Sequence, residues 1–141
     1  MLTFTSFITM LCCASLSPMT KADIDRAELI FTGELIHKEQ PSQLDNYHEA
    51  TQYHFKVLTA YKGCSNGDII VVSSHEMIST GIHVERGDKW LLVPYGSKEK
   101  GWSTDICSLS GNTSTSRAKK NLRFLKKHIR PRGGPAISKW K

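Results

Sequence analysis

The residues able to do chemistry are few and scattered. Four cysteines stand at positions 12, 13, 64 and 107, and six histidines at 37, 48, 54, 75, 83 and 128. No two histidines have the spacing of a His-x-x-x-His or His-Glu-x-x-His helix motif. His75, Glu76 and His83 share one stretch and could approach a metal ion, but solvated loop residues explain them better. Ser73 and Ser74 lack a nucleophile-elbow context, and no glycine-rich phosphate loop is present. Asp23, Asp25 and Glu28 read as a solvated N-terminus rather than an acid/base pair. Asn112-Thr113-Ser114 has the form of a glycosylation acceptor, a tripeptide common by chance. The expectation is therefore no catalytic set, no metal site, no cofactor and no enzyme.

The cysteines do carry information about compartment. Leu2 to Leu16 is an apolar stretch broken mainly by small hydroxyl residues. It is shorter than the roughly 20 apolar residues that a membrane-spanning helix needs and fits the apolar region of a secretory signal. Thr20 and Ala22 place small residues at the cleavage positions. This predicts a signal segment over 1–22 and a secreted or periplasmic domain beginning at Asp23. Neither Cys12 nor Cys13 follows a small residue, which argues against a lipid anchor. Removing the segment leaves Cys64 and Cys107. An even count in an exported chain favours a disulfide, and two cysteines allow one pairing. It would close a loop of about 44 residues, for which chain entropy gives on the order of 4 kcal/mol. Without export, two unpaired buried thiols are the alternative.

Charge divides the chain unevenly. The 141 residues carry a net charge of +6. Residues 115–141 hold ten basic side chains and no acidic one, while the preceding 114 hold nine basic and all 13 acidic residues, a balance of −4. A mildly acidic body thus carries a basic tail.

The elements that must position these groups show strand periodicity. Ala27–Glu39 reads as a long strand with a bend or bulge at Gly33. From Thr51, Tyr53, Phe55 and Val57 alternate with Gln52, His54 and Lys56, the period of a half-buried strand. Asn66-Gly67 signals a hairpin turn, and Asp68–Ser74 reads as a strand buried on both faces. Gly87–Tyr95 makes a fourth strand, with Pro94 pushing its end to an edge, and Trp102–Leu109 a fifth. Five strands at short spacing predict a mainly β domain, a small antiparallel barrel or sandwich over 23–114. After Ser110 the period changes. Ala118, Leu122, Leu125 and Ile129 recur at helical spacing, with Lys119, Arg123, Lys126, Lys127 and Arg130 on another face. Ser114, Thr115 or Ser116 can cap this helix, and Pro131–Pro135 stops it. Residues 115–141 form the basic helix and tail.

The order of these segments resembles a known family. Ala27–Ile36 ("AELIFTGELI") is similar to the opening strand of the tissue-inhibitor-of-metalloproteinases-like (netrin-module-like) OB-fold superfamily. Tyr53–Gly63 ("YHFKVLTAYKG") resembles its second strand, which ends in an aromatic-Lys-Gly turn. Gly67–Ser74 resembles the third, Glu85–Tyr95 the fourth with Trp90 at an aromatic position, and Thr104–Thr113 the segment where a cysteine follows the last strand. The resemblance spans roughly Ala27 to Leu125 and implies a five-stranded OB-fold-like antiparallel barrel with one C-terminal amphipathic helix. Relatives carry Cys-Gly before the fourth strand; here that position reads Thr80-Gly81. Cys64 is then the natural substitute partner for Cys107. The animal inhibitors also begin with a cysteine that chelates the protease zinc, and a chain starting at Asp23 has none. The resemblance implies fold and export, not protease inhibition.

The functional expectation is an exported, monomeric, non-enzymatic binding domain. Its basic C-terminal face, with Lys119, Arg123, Lys126 and Lys127, would contact a protein or an anionic polymer or lipid surface. The alternative is an oligonucleotide-binding domain that stacks bases on Trp90, Trp102, Tyr53 and Phe55. Export argues against it, as does the body's own charge: residues 23–114 hold eight basic and 13 acidic side chains.

Overall fold

A computed structural model describes residues 18–40, 50–74, 82–105 and 108–129. The leader stretch up to Leu16, His48, His75, Glu76, Cys107 and the Pro131–Pro135 stop lie outside the described residues. Helix α1 covers Lys21–Arg26, and strands β1 Ile30–Glu39, β2 Thr51–Lys62, β3 Ile69–Ser74, β4 Lys89–Leu92, β5 Tyr95–Ser97, β6 Gly101–Ser103 and β7 Gly111–Asn112 follow. Helix α2 covers Ser116–His128. The strands form one curled half-barrel sheet in the order β5-β6-β3-β2-β1-β4-β7. The mainly β class with one long C-terminal helix is as expected.

Three details differ from expectation. There are seven strands among the described residues, not five, because Val93 and Pro94 break the fourth segment into β4 and β5 and because the short β7 follows the expected fifth segment. Proline has no N–H to offer the ladder, so pairing stops and resumes one residue later. Among the described residues the fifth segment contributes only short β6, which pairs with β3 in parallel through Val72 and Trp102, whereas every other described pair is antiparallel. And β3 is not buried on both faces: Ile69 is 52% and Val71 37% exposed. Its β-branched composition reports strand propensity, not burial.

β1 is central, paired with β2 on one edge and with β4 on the other. Side chains alternate across it, and both faces are covered at its N-terminal end. Phe31 and Leu35 join Tyr53, Phe55, Val57, Val72, Trp90 and Leu92 in the concave core. Ile30 joins Tyr61, Leu91, Val93 and Leu125 in a second core under the helices. Gly33 stands at a register shift, as the sequence suggested. A Cβ there would lie 2.8 Å from the Phe31 ring and 3.1 Å from the Lys56 carbonyl oxygen, so the inner aromatic occupies the space a side chain would need. Gly63 closes β2 with φ +81°, where a Cβ would sit 2.2 Å from the Glu28 carbonyl oxygen. The Lys-Gly turn can therefore press against the entrance to β1 only with glycine at this position.

The expected boundary after Ala22 falls inside α1. Thr20 caps this helix: its hydroxyl accepts from the Asp23 N–H, and the Asp23 carboxylate accepts from the Thr20 N–H, a reciprocal capping box. Met19 is buried in the second core, and its N–H donates to Asn121 Oδ1 of α2 at 3.2 Å. Truncation to Asp23 would remove a cap worth about 1 kcal/mol and a buried Met worth about 1.5–3 kcal/mol. A chain beginning at Asp23 should thus melt several degrees below one beginning at Pro18; differential scanning calorimetry of the two gives the comparison, and equal melting temperatures would show that Met19 and Thr20 add nothing.

Candidate functional site

Among the described residues, three regions of the surface concentrate polar chemistry. The first is α2. Its N-cap is Thr115, whose hydroxyl accepts from the Ala118 N–H. Ala118 and Leu125 are buried as the periodicity predicted, Leu122 and Ile129 pack at the edge of the second core, and Asn121 is buried among them. This docking turns Lys119, Arg123, Lys126 and Lys127 outward, and all four are exposed. Lys120 is exposed as well. Among the described residues none of these cations is in an ion pair. Arg117 is different: its guanidinium donates to the Ser108 carbonyl at 2.7 Å and anchors α2 to the segment before β7. The basic last turn, Lys126 to His128, sits where the helix dipole favours positive charge.

The second region is an open cleft of about 490 Å³ between α1, the β4–β5 connection and Ser108-Leu109. Val93, Pro94 and Leu109 line it together with Asp23, Arg26, Glu28 and Tyr95. Its charges are partly satisfied locally, since Arg26 pairs with Asp23. Ser108 is buried, shares a 2.8 Å hydrogen bond with the Thr104 hydroxyl and accepts from the Ser110 N–H, while the Ser110 hydroxyl accepts from the Val93 N–H. These hydroxyls hold backbone together rather than facing a base that could activate them.

The third region was not visible in the sequence. β1 and β2 are offset by a register shift between Leu35 and His37, so that Leu35 faces Phe55 while His37, not Ile36, faces His54. The two imidazoles meet edge to face with centroids 5.0 Å apart. Glu39, two residues on and hence on the same face, brings its carboxylate to 3.7 Å from His37 Nε2. Ligand atoms of His37, Glu39 and His54 all lie within 4.8 Å of one another, the only such group of three among the described residues. The extra residue also sends Lys38 to the inner face, where its ammonium lies 5.9 Å from the Tyr53 ring centroid. The His75–Glu76–His83 grouping lies partly outside the described residues, and His83 is exposed.

The aromatic residues considered for base stacking serve the core instead. Tyr53 and Phe55 are fully buried, Trp90 is buried, and half-buried Trp102 packs against the same cluster. Cys64 is half-buried beside that core. No described helix is long and apolar enough to cross a membrane. Comparison with protein-family models and with curated proteins returns no match for this chain.

Burial pushes the Tyr61 phenol above its usual value of 10.0. Tyr95 is raised too, first by burial and then by Asp105, against the opposing pull of Arg117. Both raised values mean that the folded state holds the neutral phenol more tightly than the unfolded chain does. The stability this confers is complete below about pH 10 and is lost as pH rises through the raised native values. The melting temperature should fall on alkaline titration, and less steeply for Tyr61→Phe; an unchanged slope in that variant would exclude Tyr61 as a contributor.

Proposed function

We propose that this protein is an exported, non-enzymatic binding domain of the tissue-inhibitor-of-metalloproteinases-like type that engages an anionic polymer or lipid surface through α2. The observation that carries the proposal is the outward stripe Lys119, Arg123, Lys126 and Lys127, solvent-exposed and without carboxylate partners among the described residues. Docking of the opposite face through Ala118, Asn121 and Leu125 holds the stripe in a fixed orientation. An OB-type barrel is supported by the β3-β2-β1-β4 core order and the parallel β3–β6 pair. Burial of Tyr53, Phe55 and Trp90 weighs against recognition of single strands by stacking.

Each Lys or Arg near an anionic lipid surface contributes about 1 kcal/mol. Replacing Lys119, Arg123, Lys126 and Lys127 together by Gln should therefore weaken binding to heparin or phosphatidylserine vesicles roughly a thousandfold at low salt. Raising the ionic strength should shrink the difference, because exposed charges are screened over about 10 Å at 0.1 M. Fold stability should stay within about 0.5 kcal/mol. Equal binding by wild type and variant, at any salt, would remove the helix face as the contact surface.

A Cys64–Cys107 bridge belongs to the same proposal, tying the turn after β2 to the segment that precedes β7. Non-reducing peptide mapping of secreted material should recover the two peptides joined, and Cys107→Ser should lower the melting temperature by several degrees. Recovery of both cysteines as alkylated thiols from oxidised material would dispose of the bridge.

A further inference from the structure

We propose that His37, Glu39 and His54 form a binding site for a divalent transition-metal ion of the zinc type, independent of the cationic helix. Imidazole and carboxylate together suit such an ion. The backbone sets the geometry: His37 and His54 are a directly opposed cross-strand pair, and Glu39 follows His37 on the same face of β1. Tetrahedral zinc with ligands at about 2.0–2.1 Å requires ligand atoms roughly 3.4 Å apart. His37 Nε2 and the Glu39 carboxylate already stand at 3.7 Å, and the whole set lies within 4.8 Å. Side-chain rotation alone can therefore close the site, with no movement of the ladder.

A second observation points the same way. His54 Nε2 is buried and has no hydrogen-bond partner. A buried imidazole nitrogen without a partner is costly, and coordination through Nε2 would supply one. The other two ligands are open, with the side chains of His37 and Glu39 59% and 65% exposed, so an ion can enter from solvent and retain water at its remaining position. Gln52, which faces Glu39 across the ladder, has its amide oxygen engaged by a hydrogen bond from the Ser73 hydroxyl at 2.9 Å.

The test is calorimetric titration of the full chain with Zn²⁺. Wild type should take up one equivalent at this site and gain in melting temperature. His37→Gln and Glu39→Gln, both at exposed positions, should each weaken that event by more than about tenfold, at least the loss that follows from disturbing a metal's supporting residues. Cys64→Ser should leave it unchanged. Absence of zinc binding by wild type, undiminished affinity in both the His37 and Glu39 variants, or loss confined to Cys64→Ser would each overturn the proposal.

Discussion

The two-sided pairing of β1 is the constraint on which the rest of the structure depends. A strand hydrogen-bonded along both edges cannot shift without breaking two ladders, and its alternating side chains are committed to opposite cores. Phe31 and Leu35 enter the concave side, and Ile30 enters the layer beneath the helices. Gly33 lets the Phe31 ring lie across the strand. The position of α2, the position of α1 and the curl of the sheet all follow from these assignments.

The helices complete the second core rather than decorating it. Leu125 reaches Ile30, Tyr61 and Leu91 from one side, and Ile24 and Met19 close it from another. Asn121 joins the two helical segments through the Met19 N–H. Arg117 and the Thr104–Ser108–Ser110 hydroxyls tie the segment before β7 to α2 and to the end of β4. This polar bracing lets a short, broken strand stay in place with few ladder bonds of its own. Among the described residues no element packs on the outer side of α2, and its exposed cations cover it.

At the far end of β1 the side chains of His37 and Glu39 on the same sheet face are exposed, and no described helix covers them. Helical packing stops short of it, and polar side chains take over: Glu34 opposite Lys56, then His37 opposite His54, then Glu39 opposite Gln52. One extra residue at Ile36 decides this composition. A bulge re-aims every residue beyond it, moving His37 from the inner to the outer register and giving Lys38 the inner place beside Tyr53.

Much of the domain could be read from local pattern. The alternation of Tyr53, Phe55 and Val57 determined which face of β2 is buried, because a period of two has only one consistent solution against a core. Asn66-Gly67 marked the turn, Gly33 the irregularity in β1, and the Ala118–Leu125 spacing the buried side of α2. The exposure of Lys119, Arg123, Lys126 and Lys127 followed from that spacing. Tertiary structure decided what depends on partners distant in the chain. The parallel β3–β6 pair, the exposure of Ile69 and Val71, the docking of Met19 onto Asn121 and the meeting of His37 with His54 each join segments whose relation no local period encodes. The last of these rests on a one-residue register shift, which reverses the facing of side chains while leaving strand propensity unchanged.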